Sequence, residues 1–288
     1  MSYLISDAQL RLANRLGENA APSVATEATK RRLWFIEGIQ EILKKRPFWF
    51  TQTIFTDATE ANVPNYTLPV NCRTEFMVYV DGYKYEKMTP EDIDEYRTAL
   101  SPVQMLSSSF KYAYYKIGDD LFLIPTPSTA PTTQSVTSIT SSATTCTVTL
   151  TAHGYATNDW VTIAGANEAA YNGKFQITLL TADTFKYTSN STPSATPATG
   201  TITATKDNIE IWGYEEPTLP TTDASGIVIP DKYISGIVSY AEARFWSSAH
   251  KRGKAADAFT EFENVIEDMI KEDTRRSFLS GQWRLWER

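Results

Sequence analysis

The side chains able to do chemistry are few and scattered. Carboxylates pair at Asp119-Asp120, Glu215-Glu216 and Glu91-Asp92, the pairing that general acid–base catalysis uses. Each pair has a plainer role, as a turn, a solvated arm or a helix start. His153 and His250 stand far apart without neighbouring ligand types, which argues against a histidine triad or a zinc site. Cys72 and Cys146 fall in different segments, so neither a disulfide framework nor a cysteine metal site is expected. There is no glycine-rich phosphate loop, no G-x-S-x-G and no H-E-x-x-H. No catalytic, cofactor-binding or metal residue is expected, and the chain does not read as an enzyme. Two basic clusters, Lys30-Arg-Arg32 and Lys44-Lys-Arg46, fall on the solvated face and C-terminal end of one helix, where solvation and the helix dipole account for them.

The most pointed cluster is apolar and basic. Residues 277–288 carry Phe278, Leu279, Trp283, Leu285 and Trp286 alongside Arg284 and Arg288. A free terminus is normally polar and frayed. This one has the composition of an interface anchor, or of a tail folded back on its own domain.

The bulk numbers narrow the partners. Across 288 residues, 42% apolar and 12% aromatic side chains are enough for a real core. A formal net charge of −7 argues against gripping phosphates, although an acidic surface suits DNA that must slide past without sticking. No run is long enough to span a membrane and no signal peptide opens the chain, so synthesis and folding are expected in a cytosol.

Helical periodicity supplies the frame. Ser6-Asp-Ala-Gln9 has capping-box form and opens a short helix to Leu16, ended by Gly17. A longer helix runs over residues 26–46 with Phe35, Ile36, Ile39, Ile42 and Leu43 inward, and Pro47 stops it before Phe48-Trp-Phe50. Residues 230–276 carry two stripes. Ile234, Ile237, Val238, Ala241, Phe245 and Ala249 form the first, and Ala255, Phe259, Phe262, Ile266 and Met269 the second, joined near Gly253. They read as a helical hairpin or one long kinked helix. Between the helical ends lie short strands, with hairpin turns at Asp81-Gly82 and Gly118-Asp-Asp120, and a helix opening at Thr89-Pro90.

Composition shifts over residues 132–205 to Thr, Ser and Ala with few charges. Candidate strands at 135–139, 144–151, 160–163, 173–180, 184–188 and 200–204 are separated by turn signals. The fold class is therefore α+β. A discontinuous helical host domain, 1–131 with 206–288, carries a small antiparallel sheet. Residues 132–205 form an inserted all-β sandwich or barrel of Ig-like kind, and 277–288 a C-terminal docking tail.

The host pattern resembles the head-to-tail adaptor (connector) proteins of tailed bacteriophages. The resemblance rests on Ile42-Leu-Lys-Lys-Arg-Pro-Phe-Trp-Phe50, Val78-Tyr-Val-Asp-Gly-Tyr83 leading to Met88-Thr-Pro-Glu-Asp92, Tyr115-Lys-Ile-Gly-Asp-Asp-Leu-Phe-Leu-Ile-Pro-Thr-Pro127, and Ile229-Pro-Asp-Lys-Tyr233. In the insertion, His153-Gly-Tyr155, Tyr171-Asn-Gly-Lys-Phe175 and Ala182-Asp-Thr-Phe-Lys-Tyr187 look like β modules that decorate phage structural proteins. The resemblance implies a virion protein at the head–tail junction, made in the bacterial host cytoplasm. It would form a ring, commonly of twelve copies, below the portal, with portal protein and tail or nozzle proteins as partners and viral DNA passing through the lumen. No cofactor and no membrane are implied. Portal docking would fall to Phe278, Leu279, Trp283, Leu285, Trp286 and Arg288. Subunit packing would fall to Ile234, Ile237, Val238, Ala241, Phe245, Phe259, Phe262 and Ile266. A rival reading is a surface module whose Trp160, Tyr155, Tyr171 and Tyr187 stack on the sugar rings of a host glycan or receptor.

Overall fold

The structure, a computed structural model, describes residues 3–18, 24–89 and 112–283, with side chains through Arg276. The helix expected from Thr89 lies outside the described residues. The chain divides into two compact units, residues 1–52 with 214–288 and residues 53–213.

The first unit is helical. Helix α1 (Ile5–Leu16) starts ahead of the Ser6 capping pattern, because a loop takes its first donors. Ile5 N–H donates to the Ser225 carbonyl at 3.1 Å and Ser6 N–H to that of Asp223 at 2.9 Å, while Asp7 Oδ2 accepts Leu4 N–H at 3.2 Å. Gly17, at φ 79°, ends the helix in the left-handed conformation that favours glycine. Helix α2 (Ala25–Lys45) ends two residues before Pro47.

Helices α3 (Ile234–Ser248) and α4 (Arg252–Trp283) form an antiparallel hairpin, which settles the choice between hairpin and kinked helix. Tyr233 meets Glu272, Gly236 lies against Val265, and Tyr240 packs on Phe259 and Phe262. Helix α4 also runs on through Trp283, where sequence periodicity stops near Arg276. A single core joins these elements, with Leu12, Phe35, Ile39, Ile42, Phe48, Ile237, Phe262 and Met269 all at or near zero exposure.

The second unit holds a seven-stranded sheet and two four-stranded ones. The larger is built from β1 (Gln52–Asp57), β2 (Asn65–Thr67), β3 (Cys72–Val80), β4 (Tyr83–Lys87), β5 (Ala113–Ile117), β6 (Asp120–Ile124) and β15 (Ile209–Glu215), in the order β1-β15-β3-β4-β5-β6-β2. It is larger than the sheet read from sequence and not wholly antiparallel. Glu86 and Lys87 pair in parallel with Ala113 and Tyr114, a pairing that needs a long crossover, and residues 88–112 provide that length. Its own core gathers Val78, Tyr114, Leu121, Leu123 and Ile209.

The remaining strands are β7 (Thr133–Ser135), β8 (Ser138–Ser142), β9 (Thr145–Thr149), β10 (Trp160–Ala166), β11 (Gly173–Gln176), β12 (Thr178–Thr181), β13 (Thr184–Thr188) and β14 (Gly200–Lys206). They form sheets β11-β10-β14-β7 and β12-β13-β9-β8. Alternate residues of both sheets, among them Ile139, Val148, Val161, Ile163, Phe185 and Ala204, enter one buried cluster. Gly165 allows the β10–β14 bulge: at φ +84° a Cβ there would sit 2.0 Å from the Thr201 carbonyl oxygen. The compact units thus group the seven-stranded sheet with the inserted strands, where the sequence reading joins it to the helices.

Candidate functional site

The aromatic trio after α2 and the far end of α4 are joined by a dense polar cluster. Pro47 turns the chain so that Phe48 enters the helical core and stacks on Phe50, ring centres 5.5 Å apart. Trp49 stays at the edge, 6.2 Å from the Tyr233 ring. Asp273 on α4 accepts the Trp49 backbone N–H at 3.0 Å and pairs with Arg46 at 2.6 Å. One turn on, the Arg276 guanidinium lies 4.8 Å above the Trp49 ring and Lys232 lies 4.9 Å above that of Tyr233. Glu272 accepts from Lys232 and the Tyr233 hydroxyl, and from Arg276 Nε at 2.8 Å.

The electrostatics follow from these contacts. Hydrogen bonds from Lys232, Tyr233 and Arg276 hold the Glu272 carboxyl down at about 2. Burial, and then the bond to Glu272, push the Tyr233 phenol well above its ordinary value. Beside the cluster is a hollow of about 690 Å³ lined by Asp268, Lys271, Arg275 and Arg276 with Tyr233 and Glu272. Five of its six lining residues are charged. The arrangement ties α4 at Glu272 and Asp273 to Arg46, Trp49, Lys232 and Tyr233, just before the chain continues past Arg276.

The expected docking residues begin there. Phe278, Leu279 and Trp283 fall on the backbone course of α4, with side chains beyond those described, and Leu285, Trp286 and Arg288 lie outside the described residues. The expected subunit-packing residues need correction. Ile234, Ile237, Val238, Ala241, Phe262 and Ile266 are buried in the chain's own core and have no surface left for a neighbouring copy. A helical stripe marks a buried face without naming what buries it. Phe245 is half-buried, edge-on to Trp246, and Phe259 remains 43% exposed.

Other sequence features are absorbed internally. Arg31, read as solvated, is buried and makes a bidentate pair with Glu18 at 2.8 and 2.9 Å; Arg32 pairs with Asp223 and Lys44 with Glu41. Asp120 accepts the Thr67 hydroxyl in the β5–β6 hairpin, and His153 Nδ1 accepts the Tyr155 N–H at 3.0 Å. Of the four aromatics suited to sugar stacking, Tyr155, Tyr171 and Tyr187 are buried, their hydroxyls donating to the carbonyls of Ala204, Ala195 and Tyr171. Trp160 is half-buried. Among the described residues no group of three or more His, Cys, Asp or Glu could hold a metal, and no helix is long and apolar enough to cross a membrane. Sequence reasoning missed the Arg46–Asp273 and Lys232–Glu272 pairs, since no spacing rule connects residues so far apart.

Comparison with known proteins adds one broad match. The family model described as SU10 adaptor protein covers residues 3–284. No curated protein matches the chain. Among solved structures the chain is similar to one titled "Phage phi92 endosialidase", at 17% identity and a TM-score of 0.24, over 59% of this chain and 32% of that one. The chain thus spans about a third of that protein's length, and so slight a likeness carries no argument.

Proposed function

The chain belongs to the SU10 adaptor protein family, and from that premise we propose that it is a phage virion structural protein. In this reading it is a head-to-tail adaptor that forms a ring beneath the portal, joins capsid vertex to tail and lines the DNA channel. The observation that carries the reading is the family match over nearly the whole chain, residues 3–284. It agrees with the order of motifs from Ile42 to Tyr233.

Several features support the details. The cluster around Glu272 and Asp273 anchors α4 just before the segment bearing Phe278, Leu279, Trp283, Leu285, Trp286 and Arg288. A fixed base of this kind lowers the ordering cost of docking that segment into a portal subunit. Of the expected packing residues, exposed Phe259 and half-buried Phe245 are still able to meet a neighbouring copy in a ring, commonly of twelve. A net charge of −7 suits a lumen that lets DNA pass. The inserted strands are a sandwich of Ig-like kind directed toward tail or nozzle proteins, and the chain catalyses no reaction.

Cryo-EM of the purified chain mixed with its portal tests this, alongside a chain truncated after Arg276. The intact chain is expected to form a ring on the portal and the truncated one to fail to dock. Equal binding by both would remove the docking role of residues 277–288. No binding by either would remove the adaptor ring itself.

A further inference from the structure

Residues 53–213 form one compact unit although they contain two separate cores. The inserted strands are reached through a proline-bearing stretch after β6, and left through only two residues, Asp207 and Asn208, between β14 and β15. Two residues with solvated groups would act as a swivel. Here almost every polar group of both residues is tied.

The Asp207 side chain has no exposed surface. Its Oδ2 accepts the Thr56 hydroxyl of β1 at 2.7 Å and its Oδ1 the Thr162 hydroxyl of β10 at 2.6 Å, so one carboxylate holds both bodies. Lys174, the register partner of Thr162 on β11, donates to the Thr56 carbonyl and to Asp57 Oδ1 at 2.9 Å, and stands 3.7 Å from Asp207. Along the backbone, Asp207 N–H donates to Trp160 at 2.9 Å and Asn208 N–H to Asp57 at 3.0 Å. The Asn208 amide donates to Thr59 Oγ1 and Asp81 Oδ1 and accepts the Thr59 N–H. The entering stretch is held as well, through Thr59 Oγ1 to the Thr129 carbonyl and Asn62 N–H to that of Pro127.

A small swivel would leave the Asp207 carboxylate buried with a donor missing, the costliest arrangement for such a group. Full closure satisfies every partner at once, so intermediate angles are disfavoured. We propose that Asp207 is a latch that fixes the inserted strands on the seven-stranded sheet. Residues 53–213 then move as one body, and the free edges at β7, β8, β11 and β12 are presented at a set bearing. The proposal is independent of the adaptor reading.

Nitrogen-15 relaxation on the deuterated full-length chain tests it. Amides of β9 and β13 are expected to give the same rotational correlation time as those of β3 and β15. Asp207→Ala is expected to shorten the time of β9 and β13 alone, while their chemical shifts stay those of a folded core. Faster motion of β9 and β13 in the unaltered chain would overturn the single body. A common correlation time kept in Asp207→Ala would overturn the latch. If that variant does not fold, Thr162→Val and Lys174→Met each remove part of the joint without touching the buried cluster, and the same two outcomes decide.

Discussion

Glu272 takes three donors onto one carboxylate, and that sharing makes it acid-sensitive. Its folded value of about 2 lies below the ordinary 4.5, so its contribution to stability is complete above about pH 4.5 and is lost as pH falls toward 2. Glu272→Gln keeps the shape and removes the charge. At neutral pH the expected cost is about 1 kcal/mol, since ion pairs near water are weak singly. The sharper expectation is that thermal melts of the variant, followed by helical circular dichroism, depend less on pH between 4.5 and 2 than those of the parent. Equal pH slopes would mean that other carboxylates, such as Glu18 or Glu261, carry the acid response.

At the level of elements, α3 and α4 approach closely because Gly236 leaves room for a branched side chain. A Cβ at Gly236 would lie 2.7 Å from Val265 Cγ1 and 3.0 Å from its Cβ. Alanine improves helix propensity by about 1 kcal/mol, but overpacking costs about 1–3 kcal/mol, and a valine in a helix has little rotamer freedom with which to yield. Gly236→Ala is therefore expected to destabilise the protein by about 1 kcal/mol. In a Val265→Ala background the same change should become neutral or stabilising. Denaturant melts of the four-member cycle check this, and additivity would show that the two residues do not touch. Elements of this kind were largely legible in the sequence, since the stripes at Ile234 to Phe245 and Phe259 to Met269 have the helical period. Pairing was not. Periodicity gives a buried face but not its partner, so six residues of the two stripes read as subunit contacts lie in the chain's own core. The run 173–180 reads as one strand and is two, because residues 173–176 pair with β10 in one sheet and residues 178–181 with β13 in the other. The anchor at Trp49, Asp273 and Glu272 joins residues more than two hundred positions apart, or brought together by a hairpin, and no local pattern encodes that.

At the level of the whole molecule, the location of the cores governs how the chain unfolds. The helical core draws only on residues before 52 and after 214, whereas the two β cores draw only on residues 53–213. A cavity lowers the stability of the cooperative unit that contains it, so variants in different cores should separate the transitions. Phe262, 2% exposed, lies in the helical core, and Phe185, fully buried, lies among the inserted strands. Truncating either to alanine should cost about 3–5 kcal/mol in its own unit. Scanning calorimetry is then expected to show Phe262→Ala lowering one transition and Phe185→Ala another, each leaving its counterpart within error of the parent. If both variants lower one shared transition by the same amount, the chain unfolds as a single cooperative body. The divisions at residues 52 and 213 would then describe geometry without energetic independence. Separate transitions would instead mean that a phage could alter the inserted strands while leaving the stability of the helical unit intact.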